Sequence, residues 1–187
     1  MSTPSPRMSS QEHQQVMTLL QETRQDFLKA LQQVAEEDWN RCPREGSWTP
    51  AQLAQHVVLA ETAVLEGLLR SLQREADPQW QETLGKEELI IRLLPARRRK
   101  AEAPPHVRPR EEGLQRQEAV RLFEEVRART LALAQETERP FKQHTRVHPL
   151  PAIGKLNGHQ WLLFNAQHLR RHILQLEEML SLLAAQP

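Results

Sequence analysis

Two histidines near the end of the chain, His168 and His172, are spaced i, i+4. On a helix that spacing projects both rings from one face a turn apart, which lets a single helix offer two imidazoles to one metal ion. Eight histidines in 187 residues would produce roughly 0.3 such pairs by chance, so the spacing alone decides little. Their place on the helix adds weight. Trp161, Asn165, His168, His172, Gln175 and Met179 form the stripe that should face inward, and an unsatisfied buried imidazole costs on the order of 1–3 kcal/mol. A third ring, His56, falls on the apolar face of an earlier helix with Leu53, Val57, Ala60 and Val64. Three neutral imidazoles converging on one point would hold a divalent metal ion, zinc or nickel first and iron next, with positions open for water or substrate. Taken alone, His56 reads better as a hydrogen-bonded core histidine, and the His168–His172 pair reads equally well either way; only the three together point to a metal.

The other candidates compete poorly. His13 lies at the start of the first helix, and His106, His144 and His148 fall in connectors. His159 precedes His168 by nine residues, and nine steps of about 100° put it on the opposite side of the helix, exposed or capping. Cys42, the single cysteine, has no histidine near it in sequence and can form neither an internal disulfide nor a cysteine-rich zinc site. No carboxylate base stands in phase with the rings: Glu61 is roughly 140° around from His56, and Glu177 is similarly displaced from His172.

Helices must position these residues. Residues 1–8 read as a disordered lead-in, and 9–187 as a single domain. Ser9 and Glu12 have capping-box spacing ahead of a first helix at about 10–36. Thr49-Pro50 opens a second at about 50–74, on which Gly67 shares the apolar face and predicts a close helix contact. The stretch 75–112 contains Pro78, Pro95, Pro104, Pro105 and Pro109, leaving room only for a short helix around 86–94. Its basic run, residues 97–100, has no interleaved aromatics and reads as a solvated loop. A third long helix follows at about 114–137, then a connector at 138–156 and a last helix at about 158–184. No strand is expected. The fold class is all-α: a four-helix bundle with a long crossover between the second and third long helices.

Composition narrows the function classes. The formal net charge of +1 supplies no field toward nucleic acid or an anionic membrane. The Ser/Pro-rich start lacks the apolar region of a signal peptide, and no stretch is long enough to span a bilayer. A soluble cytoplasmic protein is expected.

Two motifs carry a resemblance. GSWTPAQLAQH at 46–56 and NGHQWLLFNAQHLRRHILQ at 157–175 resemble the DinB-like family, in which a Trp-Ser/Thr-Pro turn opens the second helix and a metal histidine follows. The likeness extends to His148-Pro149, to Gly154 and to EAVRLF at 118–123, and it covers nearly all the chain after residue 10. It implies a four-helix bundle, often a homodimer, with a three-histidine metal site at His56, His168 and His172. Family members include transferases that activate low-molecular-weight thiols such as bacillithiol, mycothiol and glutathione, and others described as metal-dependent hydrolases. The missing carboxylate base tilts the expectation toward a small thiol substrate over hydrolysis. A non-catalytic metal- or ligand-binding dimer stays open beside both. Leu180 and Leu182 could serve a dimer or complete the monomer core.

Overall fold

A computed structural model of the chain describes residues 4–96 and 102–186. The basic run at 97–100 and residues 1–3 of the expected lead-in lie outside the described residues. Four long helices, α1 (Ser10–Gln32), α2 (Pro50–Leu72), α4 (Arg116–Ala134) and α5 (Gly158–Ala184), form the bundle, with a short α3 (Glu87–Leu93) in the crossover. α1 packs on α5 and α4, and α2 packs on the same two, so α1 and α2 occupy opposite corners. The crossover joins α2 to its neighbour α4.

Local signals explain where the helices start. Ser9, Thr49 and Asn157 each accept from the backbone N–H three residues on, and Glu12, Gln52 and Gln160 reach back to the cap's own N–H. Each such box satisfies two orphan donors and sets the rotational phase of everything downstream. The expected ends ran a few residues long. α1, α2 and α4 stop at αR caps on Gln33, Gln73 and Gln135, a stop that carries no glycine for a reader to find.

The connector before α5 holds a small antiparallel hairpin that no periodicity announced. β1 (Thr145–Val147) pairs with β2 (Lys155–Asn157), Arg146 opposite Leu156. Gly154, at φ 70°, makes the turn's left-handed step, and its carbonyl accepts the His148 N–H at 2.9 Å. Three-residue strands are too short to show an alternation. The lead-in meets the fold early: Met8 is buried in the core, and the Pro6 carbonyl accepts the Lys142 N–H.

The core divides into two apolar clusters. One holds Leu20, Leu65, Leu68, Phe141, Leu156 and Leu162; the other holds Phe27, Leu31, Trp39, Leu53, Phe123 and Leu176. Between them on the helices lie buried polar residues, chief among them Arg127 and Glu61. Leu180 packs against the second cluster. None of the described helices is long and apolar enough to cross a membrane.

Candidate metal centre

His56 sits seven residues after its helix cap, His168 and His172 eleven and fifteen after theirs, so both capping boxes fix the directions in which the rings project. α2 and α5 are packed neighbours, and the three rings meet between them. His56 Nε2 lies 3.2 Å from His172 Nε2, and His172 Nε2 lies 3.2 Å from His168 Nε2. All three ligand atoms fall within 4.8 Å of one another.

Outer contacts decide which nitrogen is free. His56 Nδ1 is 2.7 Å from the Val107 carbonyl, which can only accept, so the ring proton resides on Nδ1. His172 Nδ1 is 3.0 Å from Gln175 Oε1 and carries its proton for the same reason. Both Nε2 atoms therefore present lone pairs to each other, with no proton between them. Two buried lone pairs at 3.2 Å repel, and a cation among them reverses the sign. Nitrogens bound at about 2.1 Å to a tetrahedral ion stand about 3.4 Å apart, so the two 3.2 Å spacings suit a divalent cation.

Electrostatics keep the rings neutral, as ligation requires. Burial pushes His168 down to about 3, helped by the nearby His56, Arg171 and His148. Burial likewise holds His172 well below the usual histidine range, with His168 and His56 adding to it. His56 is lowered by burial against the opposing pull of the Val107 carbonyl.

The crossover supplies what the helices cannot. Gln55 Oε1 accepts the Arg110 N–H at 2.8 Å, and Gln52 Nε2 donates to the Glu111 carbonyl at 2.8 Å. These bonds lay residues 105–111 along the start of α2 and bring Val107 O to His56. A cleft of about 1340 Å³ opens over the rings, lined also by Trp48, His148, Trp161 and Phe164. Its wall is aromatic: His168 stacks on Phe164 at 5.5 Å, and Phe164 meets Trp161 at 5.3 Å.

Several sequence expectations change here. His148, read as a connector residue, lines this cleft; it stacks on Trp161 at 5.4 Å and accepts the Leu150 N–H on Nδ1 at 3.0 Å. Its proton is then on Nε2, and burial lowers it to about 4. His159, expected exposed or capping, is fully buried. The reverse side of α5 is covered at that level by Glu12 of α1 and Glu87 of α3, each 3.9 Å from Nδ1. Gly67 does mark a close contact, but its neighbour is the Arg146 guanidinium and not a helix. Glu61 is buried and bound by Arg127 through both oxygens; burial pushes its carboxyl up and Arg127 opposes that. Glu177 is exposed. Cys42 is exposed, its thiol donating to the Arg44 carbonyl. Leu182 lines the cleft.

The family profile of the DinB superfamily matches residues 19–176, a span containing all four long helices in whole or large part. The chain belongs to the DinB superfamily. Within reach of this DinB-type fold, the Bacillus subtilis (strain 168) protein YuaE is 26% identical over 164 residues, covering 87% of this chain and 96% of YuaE. The solved structure of YfiT from Bacillus subtilis matches with a TM-score of 0.65 at 16% identity, over 99% of this chain and 95% of YfiT. YfiT is described as "a probable metal-dependent hydrolase with an unusual four-helix bundle topology". At that identity the likeness speaks to the fold alone.

Proposed function

We propose that this chain is a metal-dependent enzyme in which His56, His168 and His172 hold one divalent ion, zinc or nickel ahead of iron, and a low-molecular-weight thiol is transferred to an electrophile. The observation that carries the reading is the pair of Nδ1-anchored rings whose Nε2 lone pairs face each other at 3.2 Å. A bound divalent ion supplies Lewis acidity there, lowering a thiol's pKa from about 8.5 so that it reacts as the thiolate.

The chain's own residues do the rest. Val107 O and Gln175 hold two of the three rings in one tautomer and one orientation. Trp48, whose ring centre is 4.8 Å from that of His56, and Phe164 limit water at the ligands. His148, neutral with its proton on Nε2, offers a hydrogen bond to a group within the cleft. With an aryl chloride the new S–C bond forms as C–Cl breaks, and the thiol proton leaves to solvent with chloride.

Hydrolysis is the second reading, favoured by the description of YfiT. It would usually draw on a placed carboxylate base. Glu45, Glu102 and Glu178 line the cleft, but the polar contacts of the three rings run to Val107 O, Gln175 and one another, and Glu61 on α2 is committed to Arg127. That favours thiol transfer.

Purified protein should contain about one equivalent of divalent metal, released by His56→Ala, His168→Ala or His172→Ala. Full retention in all three variants removes the site. A panel of thiols with a chlorinated nitroarene or an epoxide then separates the reactions. Conjugation lost with the histidines supports the transferase; ester or amide hydrolysis without conjugation selects the hydrolase. Inactivity in both, with metal bound, selects a binding module. We carry the homodimer as a proposal from the resemblance, and a monomer by light scattering at high concentration would remove it.

A further inference from the structure

Arg146 stands on β1, at the side of the same cleft. Three elements build its position. Its guanidinium carbon lies 3.8 Å from the centre of the Trp161 ring on α5, and Nη1 lies 3.4 Å from the Ala63 carbonyl on α2. The group fills the space left by Gly67: a Cβ at that position would fall 1.2 Å from Nη1. A helix interior gives up roughly 1 kcal/mol for glycine in place of alanine, and here the missing methyl is what admits the cation.

What the position lacks is a counter-charge. Among the described residues no carboxylate lies within ion-pair distance of Arg146; its polar contact is the Ala63 carbonyl. The acid that shares an adjoining cavity with it, Glu66, pairs with Arg70 at 3.4 Å. Burial, with a smaller push from the Arg70 charge, lowers Arg146 to about 10, so it remains a cation at neutral pH but a poorly solvated one. Nη1 lies on Ala63 O and, with Nη2 less closely, against Gly67; the Nε and Nη2 edge carries the paired N–H geometry that matches a planar or tetrahedral oxyanion.

The aromatic wall links this cation to the histidines. Steps of 3.8, 5.3 and 5.5 Å lead from the guanidinium through Trp161 and Phe164 to His168. One molecule no longer than about four extended residues could touch both ends. We propose that Arg146 is an anion-recognition site, binding a carboxylate or phosphate on a small molecule whose reacting end lies at the three histidines. The placement of that reacting end rests on the function proposed above; the anion site itself rests on Arg146, Trp161 and Gly67.

Isothermal titration of the purified full chain with succinate, and separately with inorganic phosphate, tests it. Saturable binding is expected in the wild type, weakened about tenfold or more by Arg146→Gln. Gly67→Ala should weaken it similarly, since the methyl displaces the guanidinium while the charge stays in the chain. His168→Ala should lose metal yet keep the anion affinity, which separates failure of this site from failure of the metal centre. Tighter succinate points to a carboxylate substrate, tighter phosphate to a phosphate ester. Wild-type affinity in both Arg146→Gln and Gly67→Ala, or no saturable binding of either anion by the wild type, overturns the proposal.

Discussion

Glu61 and His56 lie five residues apart on α2, and each anchors a buried polar cluster completed from another helix. In the first, Arg127 of α4 binds both Glu61 oxygens through Nε and Nη2 and donates from Nη1 to Leu20 O at 3.1 Å and Thr23 Oγ1 at 3.3 Å. Charge is balanced and the fork is used, so nothing is left to bind. In the second, two protons point outward to Val107 O and Gln175, and the lone pairs point inward at one another. The first cluster closes on itself; the second turns its nitrogens toward one another, an arrangement that could hold a cation. Burial of polar groups is common to both, so burial alone does not mark a ligand site. The direction of the unused lone pairs does.

The comparison breaks most visibly at Arg127. Arg127→Met leaves a buried carboxylate unpaired and should cost about 3–5 kcal/mol of stability by urea unfolding, with metal content unchanged. Glu61→Leu combined with Arg127→Met should recover most of that loss, because the pair is then replaced by apolar volume. A single variant as stable as wild type would show that the closed cluster is not closed.

At the open cluster the orienting partner should matter through the ligand and not the fold. Gln175→Leu is expected to weaken metal binding about 10–100-fold, or about 1.4–2.8 kcal/mol, by competition with a chromogenic chelator. Its apo-protein should unfold near the wild-type midpoint. Unchanged affinity would remove Gln175 from the site and with it the tautomer argument for His172.

The smallest effect is a slope. Burial holds His148 at about 4 in the folded chain, against about 6.5 when unfolded. The unfolded chain therefore takes the proton first. The stability involved is fully present above about pH 6.5 and drains as pH falls toward 4, by up to about 1.36 kcal/mol per pH unit. His148→Phe should flatten that part of the curve in urea titrations run across the window. A slope identical to wild type would place His148 in water, outside the cleft wall.

Much of the three-histidine cluster was legible in one dimension. His168 and His172 declare themselves by an i, i+4 spacing on an inward stripe, and His56 by its phase on an apolar face. The phases were readable from apolar periodicity and, for α2, from the Thr49-Pro50 start; the Asn157 cap of α5 emerged only in the structure. His159 was misread by the same reasoning. Phase says which side of α5 a ring takes, but not that α1 and α3 cover that side too. Arg146 and Val107 left no signal: one is a polar residue in a three-residue strand, the other acts through its backbone carbonyl, which every residue possesses.

The chain by itself determined the helices, their starting points and the three rings that share an inward face, because caps and apolar periodicity are short-range properties. Only the tertiary structure decided that α2 and α5 are neighbours, that the crossover brings Val107 O to His56, and that Arg146 settles into the space of Gly67. Those outcomes come from packing between segments tens of residues apart, where contact depends on which surfaces bury best together and not on the spacing within either one.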